Sequence, residues 1–433
     1  MKEERVTLRN LKHHWVLFLM LAPTLAGIAV FRYAPAFQAV RHSFYQWDGL
    51  FKEDFVGLDN FRLLLGDLSL WGPFLLAAAL AGIGGLLTDR RVKWPLQGLS
   101  VAAAGLFAVR AVRDYLAVRP TAGQVQEGPL PVLFLLLAAA AVCAALSISL
   151  KARRSRGFCR FAAWGLPFVA GFVYLLGVRR MGDWLLWQSF RLILILVVAN
   201  LFKMWPSIFT AVCIHRLRSD RWQYAYRVLF VIPMIIPHMV GLLIWKFFYD
   251  PNVGPLNQVL TATGLDQALI WLDKWVLHLG VFVEPFKPAW LAHPKLIIPA
   301  LIFWGFPWVG VVGVLIYLAG LQNIGNDVYE AADIDGIGVW GKFWRIELPL
   351  ITTQVRLNLI LMIIGTFQAY GFQLVLLGPE GGPENVGLTP GLYMFFQGFI
   401  EQKYGYACSI GLLLFFIIMA LTIVNQRYVR VKK

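Results

Sequence analysis

Apolar runs about as long as a bilayer is thick recur along nearly the whole chain, and they constrain its fold more than any other feature. A helix needs about 20 apolar residues to cross a membrane. Ten runs approach that length, at about 15–36, 70–88, 95–113, 129–150, 161–178, 190–214, 228–248, 296–320, 356–378 and 406–425. The run at 95–113 is the least clean, because its apolar stretch stops at Arg110. With 59% hydrophobic and 15% charged residues and a mean hydropathy of +0.65, the chain does not have the make-up of a soluble globular protein. The fold class expected is an all-α polytopic membrane protein of about ten transmembrane helices. The first run follows a charged leader and lacks a small-residue cleavage site, so it reads as a span and not as a cleaved signal.

The net charge of +15 could suggest nucleic acid, but the basic residues form short clusters between apolar runs. No basic face interleaved with stacking aromatics is present, and membrane orientation explains the clusters better. With the amino terminus inside, the inner loops carry Arg90, Arg91 and Lys93, then Lys151, Arg153, Arg154 and Arg156, then Arg216, Arg218 and Arg221. The tail adds Arg427, Arg430, Lys432 and Lys433, while Asp48, Glu53, Asp54, Asp59, Glu380 and Glu384 fall outside. Arg110, Arg113, Arg179 and Arg180 run against the scheme, which otherwise places both termini in the cytoplasm. Cys143, Cys159, Cys213 and Cys408 lie in or beside apolar runs without metal-ligand spacing and read as packing residues.

Between two apolar runs lies a polar, mixed-charge segment, Glu330 to Pro349, reading EAADIDGIGVWGKFWRIELP. Glu330, Ala331 and Ala332 favour a helix, Asp335 and Gly336 end it, and Gly336 can take the left-handed conformation that reverses the chain. A second short helix then carries Trp340, Phe343, Trp344 and Ile346 to a stop at Pro349. Two aromatic-bearing helical turns of this kind make a knob suited to a partner's groove.

At these residues the chain resembles the permeases of binding-protein-dependent ABC importers. Glu330-Ala331-Ala332, three residues, Gly336, nine residues, then Ile346-x-Leu348-Pro349 matches the family's EAA loop at every defining position. The lead-in LQNIGNDVYEAA, Leu321 to Ala332, looks like the carbohydrate-uptake branch of maltose and glycerol-phosphate type. The resemblance extends to LAPTLAGIAVFRYAPAF, SFYQWDG and FVGLDNF near the amino terminus. It resumes from about Phe190, with Arg227 through Pro233, Pro237, Trp245, then GGPENVG at 381–387 and YGYA at 404–407. The departure is an insertion of about four spans between Asp67 and Gln188; an even number preserves the sidedness of everything that follows.

The organisation expected is therefore a leader, first span and periplasmic segment over 1–66, and an inserted membrane region over 67–188. A six-helix permease core over 189–425 holds the EAA loop at 321–354, and a basic tail occupies 426–433. The resemblance implies the cytoplasmic membrane and three sets of partners. They are an extracytoplasmic solute-binding protein, a second permease subunit, either a different chain or a second copy, and a cytoplasmic ATPase dimer holding ATP and Mg. It implies no cofactor and no catalytic residue in this chain. Glu330 would make a polar contact to the ATPase, Ala331 and Ala332 would allow close approach, and Gly336 would set the bend. The aromatics of the second turn would fill the ATPase cleft.

Proline inside a span frees a backbone carbonyl and kinks the helix. Pro233 and Pro237 fall in the seventh run, and Pro299, Pro307, Gly305, Gly310 and Gly313 in the eighth. Bent, thinned helices can rock against each other, although small residues also serve close packing. In the ninth run Thr366, Tyr370 and Gln373 recur at i, i+4 and i+7, which puts them on one face of a continuous helix. That stripe, with Gln368 and with Asn200 of the sixth run, is the candidate substrate pathway. Interhelical hydrogen bonding without ligand explains it equally well. Asn200, Lys203, His238 and Asn358 are further polar groups expected at membrane depth.

Gly336 to Phe343 mimics the glycine and lysine spacing of a phosphate loop, but Phe343 stands where a Ser or Thr would hold magnesium and no strand precedes it. ATP hydrolysis by this chain is excluded on that ground. Two other classes stay open at this stage. An ion- or proton-coupled transporter would need ionisable pairs near mid-membrane, where Lys203 stands alone. A membrane-embedded glycosyltransferase would need a carboxylate cluster, for which Asp48, Glu53 and Asp54 are the only outer candidates.

Overall fold

The structure is a computed structural model that describes residues 15–51, 53–66 and 182–428, with single positions at 95 and 99. The spans expected at 70–88, 95–113, 129–150 and 161–178 fall, apart from those single positions, outside the described residues. The chain divides into two compact units, Gly57–Trp187 and the larger Met1–Val56 with Gln188–Lys433. In the smaller unit, the short helix Asp59–Leu65 buries Leu64, whose carbonyl accepts the Trp187 indole N–H at 3.0 Å.

The larger unit opens with α1 (Trp15–Ile28) and α2 (Ala34–His42). Pro35 offers no N–H to the preceding turn, and between the two helices the backbone widens into a π turn over Ala29–Tyr33. A two-stranded antiparallel ribbon follows, β1 (Tyr45–Trp47) against β2 (Glu53–Phe55), with Tyr45 opposite Phe55. It is an addition to the all-α class expected. Asp48 closes its turn by accepting the N–H groups of Leu50 and Phe51, and Glu53 pairs with Arg41 and His42. Local structure thus employs acids that the glycosyltransferase reading would have needed.

Next come α3 (Trp184–His215), α4 (Asp220–Val231), a 3-10 turn at Ile232–Ile235, and α5 (His238–Phe248). After α6 (Pro255–Ala262) and α7 (Leu265–Leu272), the chain runs through α8 (Pro294–Phe303) and α9 (Val311–Leu321). Then α10 (Asn326–Ile334) and α11 (Val339–Lys342) lead through a π turn and a last helical turn at Leu348–Leu350 into α12 (Thr352–Phe367). The chain closes with α13 (Gly371–Leu377), α14 (Pro390–Phe395) and α15 (Tyr404–Tyr428).

Three helical stretches among the described residues are long and apolar enough to cross a membrane, Leu19–His42, Trp184–His215 and Tyr404–Ile423. Three bent pairs meet the same test when each is taken as one span. The runs at 228–248, 296–320 and 356–378 are not single helices. The first bends by 85° between Ile235 and His238, at Pro233 and Pro237. The second breaks over 304–310, around Gly305 and Pro307. The third breaks over 368–370, where Thr389 Oγ donates to the freed Ala369 carbonyl at 2.8 Å.

Lipid tails are as apolar as leucine, so close fit and satisfied polar groups hold membrane helices together more than water exclusion does. One buried cluster joins Ile208 and Val212 of α3 to Tyr317 and Leu321 of α9 and to Phe343 and Ile351. A second joins Leu192 and Leu196 to Ile297, Leu301 and Leu376. α15 packs along α2 and against β1. Gly405 permits that contact, because a Cβ there would stand 1.9 Å from the Tyr45 carbonyl oxygen. Met20, Phe31 and Phe37 stay exposed on α1, its π turn and α2, as surface that lipid or another membrane helix must cover.

Candidate functional site

The segment at 321–354 folds into a hook. α10 leaves α9 at 74°, and the helical stretch Val339–Leu350 meets α12 at 67°, so the hook lies across the lines of the spans on either side. α10 ends in a Schellman motif: the Ile337 N–H donates to Ala332 O at 2.9 Å and the Gly336 N–H to Asp333 O at 3.1 Å. Gly336 sits between them at φ 68°, a conformation that costs any residue with a Cβ. Lys342 then pairs with Asp333 across the bend.

The hook's outer face carries Glu330, Ala331, Asp335, Gly336 and Trp340, all exposed, together with Ile334 and Val339. Ala332 is buried, Ile346 and Leu348 are half-buried, and Pro349 is exposed. Trp344 is half exposed and leans on Trp205 with ring centroids 5.7 Å apart. Phe343 departs from the expectation that the second-turn aromatics serve a partner's cleft. It is 2% exposed and stacks on Phe209 at 5.0 Å, because its position on the helix turns it toward α3. It anchors the hook instead.

A second anchor is polar. Glu347, with no exposed surface, accepts from Arg216 twice, Nη2 to Oε2 at 2.7 Å and Nε to Oε1 at 2.9 Å. Arg216 Nη2 also donates to the Val339 carbonyl at 3.0 Å, and the Tyr329 hydroxyl reaches Glu347 Oε1 at 3.4 Å and His215 Nε2 at 3.2 Å. Burial, and then the neighbouring Glu347 carboxylate, push the Tyr329 hydroxyl's pKa up, which keeps it a neutral donor. Sequence reading missed this cluster. Arg216 registered only as one of several inner charges and Glu347 only as an unspecified position in the motif, and the two are 131 residues apart.

The polar residues proposed for a pathway do not share one face. The break over 368–370 removes the continuous helix that the spacing assumed. Thr366 is buried and accepts from Asn200 Nδ2 at 3.0 Å while donating to Met362 O at 2.7 Å. Gln368 caps α12 and is exposed. Tyr370 stacks on Phe395 at 5.6 Å and lines an apolar groove of about 620 Å³ with Ala39, Phe399, Tyr404 and Phe415. Gln373 is 1% exposed, and its Oε1 has no hydrogen-bond partner among the described residues.

α3 bears a polar row at both breaks. Lys203 Nζ approaches the Trp304 and Leu301 carbonyls at 3.4 and 3.5 Å, at the end of α8, and lies 5.9 Å from the Trp308 ring centroid. Ser207 Oγ accepts the Gly310 N–H at 2.9 Å and donates to Trp308 O at 3.3 Å. Lys203 thus serves carbonyls freed by a helix break, an account that sequence alone could not supply. Asn358 donates to the Tyr317 hydroxyl at 2.7 Å. His238, expected to be buried, is exposed in the first turn of α5.

Comparison with known proteins matches residues 204–431 to the family described as binding-protein-dependent transport system inner membrane component. The chain is 34% identical over 201 residues to the diacetylchitobiose uptake system permease protein NgcF of Streptomyces coelicolor, covering 46% of this chain and 51% of that protein. It is 28% identical to the probable ABC transporter permease protein YesP of Bacillus subtilis, over 62% of this chain and 80% of the relative. Against the maltose/maltodextrin transport system permease protein MalF of Escherichia coli K12 it is 30% identical, over 51% of this chain and 41% of that one. The match thus spans about half the length of NgcF and less of MalF. The crystal structure of a bacterial ABC transporter involved in the import of the acidic polysaccharide alginate shares the fold, with a TM-score of 0.52 at 15% identity, over 98% of this chain and 97% of that chain. On the match over 204–431, which holds the hook, both of its anchors and the helix breaks, the chain belongs to the binding-protein-dependent transport system inner membrane components.

Proposed function

We propose that the chain is a permease subunit of an ABC importer that passes a sugar or related polyol across the cytoplasmic membrane. The hook carries this reading: an exposed helical knob, bent at Gly336 and anchored by Phe343 and Glu347 to the spans behind it, presents a docking face with no nucleotide chemistry of its own. Relatives named for diacetylchitobiose and for maltose and maltodextrin support a carbohydrate. A separate ATPase dimer, holding ATP and Mg, supplies the energy. The hook and both termini lie in the cytoplasm, a second permease subunit completes the pore, and a solute-binding protein delivers the ligand, as in the alginate transporter solved with its periplasmic protein.

The polar atoms around the α12 break, Asn200, Thr366, Gln368, Tyr370 and Gln373, are the pathway residues proposed. Amide and hydroxyl groups can exchange hydrogen bonds with sugar hydroxyls, and Gln373 Oε1 is a buried acceptor without a protein donor among the described residues. The test is uptake of labelled sugars by vesicles holding the chain with its ATPase and second permease. ATP-dependent accumulation of at least one sugar supports the reading, and uptake by the chain without any ATPase refutes it.

A further inference from the structure

The hook, α3 and the helix breaks are joined by one series of polar contacts. At one end Arg216, just past α3, holds Glu347 in two hydrogen bonds and the Val339 carbonyl in a third, so it grips the hook at two points. Phe343 stacks on Phe209 of the same helix, a second and apolar grip. Farther along α3, Ser207 holds Gly310 and Trp308, Lys203 holds Trp304, and Asn200 holds Thr366 beside the α12 break. Asn200, Lys203 and Ser207 are spaced i, i+3 and i+7, so one face of one helix serves both breaks. α3 runs unbroken from Trp184 to His215 with Pro206 inside it, so the grips on the hook and the holds on two breaks sit on one continuous helix.

We propose that α3 is the lever of this permease, with Arg216–Glu347 as the joint that passes hook movement into it and Ser207, Lys203 and Asn200 as its holds on the two helix breaks. Arg216 and Glu347 are positioning residues: neither needs to touch the sugar, and Glu347 is fully enclosed, so it does not touch the ATPase. The proposal rests on the permease reading and goes beyond the hook to name the element that hook movement drives.

The test uses the complete complex in proteoliposomes and reads sugar transported per ATP hydrolysed. Arg216→Ala combined with Glu347→Gln removes both charges and strands neither. The expected result is a complex that assembles and hydrolyses ATP while transport per ATP falls by at least about tenfold, the range of an ordinary coupling free energy. Transport per ATP equal to wild type overturns the lever. A loss of stability alone would lower assembly and leave that ratio unchanged in the surviving complexes.

A second measurement needs no change at the joint. Spin labels at Phe202 on α3 and Ile334 on the hook, both exposed, report whether the two move as one body through the ATP cycle. A separation that holds constant while each label moves against the rest of the complex supports the lever, and a changing separation overturns it. Absence of ATP-driven uptake in the wild-type complex would instead strike the permease reading itself.

Discussion

Arg216 and Glu347, 131 residues apart, meet in a two-pronged ion pair at 2.7 and 2.9 Å that fastens the hook to the end of α3. Glu347 is fully buried and Arg216 only partly so, which makes the carboxylate the more exacting partner. Removing one member of such a pair strands the other, and that loss is larger than the net worth of the pair.

Arg216→Ala leaves the fully buried Glu347 carboxylate without its guanidinium, and the expected destabilisation is about 3 kcal/mol. It is read from the unfolding midpoint of the detergent-purified chain. The paired change Arg216→Ala with Glu347→Gln should cost clearly less; equal losses would mean that the ion pair is not the source.

Gly336 has nothing within 4 Å of where its Cβ would be, so substitutions there act through the backbone alone. Gly336→Ala is expected to cost about 1–2 kcal/mol at its φ of 68°. Gly336→Asn, which tolerates the left-handed region, should keep uptake, whereas Gly336→Pro should abolish it with the subunit still in the membrane. Normal transport by the proline variant would show that the bend is not needed.

Gly405 has the opposite constraint, space. A Cβ would stand 1.9 Å from the Tyr45 carbonyl oxygen, so Gly405→Ala must push the ribbon off α15. The expected loss is about 1–3 kcal/mol, as for overpacking elsewhere. Increased protease cleavage within 43–56 reports it.

Asp273, between the spans, provides a pH test. Its burial raises the carboxyl pKa, but the N–H groups of Phe282, Val281, Leu279 and Gly280 outweigh that and hold it below the usual carboxylate range. A depressed folded-state pKa gives stability that is present above the unfolded value, about 3.9, and is lost as pH falls from there through the folded value. The midpoint gap between wild type and Asp273→Asn should be steady from neutrality to about pH 5 and close at lower pH. A constant gap down to acid pH would contradict the assignment.

What the sequence disclosed about the hook it disclosed through local chemistry. Gly336 is dictated by one left-handed position, and the helix before it by Glu330, Ala331 and Ala332. The span count rests on composition alone, which is blind to where a helix stops. Prolines 233 and 237 flag the bend they make, but the break over 368–370 has no proline and is flanked only by Gly365 and Gly371, so the spacing of Thr366, Tyr370 and Gln373 implies a shared face that the break removes. The burial of Phe343 and the pairing of Arg216 with Glu347 depend on residues over a hundred positions apart, where one sequence holds no record of contact.

The measurement closest to the central claim joins the hook to its engine. Ile334, 88% exposed on the hook, is changed to Cys in the full chain and treated in intact cells with a membrane-impermeant thiol reagent, then with a short crosslinker in inverted vesicles. Protection from outside, together with crosslinking to a nucleotide-binding subunit and loss of uptake on crosslinking, is the expected result. Labelling from outside, or full uptake after the hook is crosslinked, would contradict it.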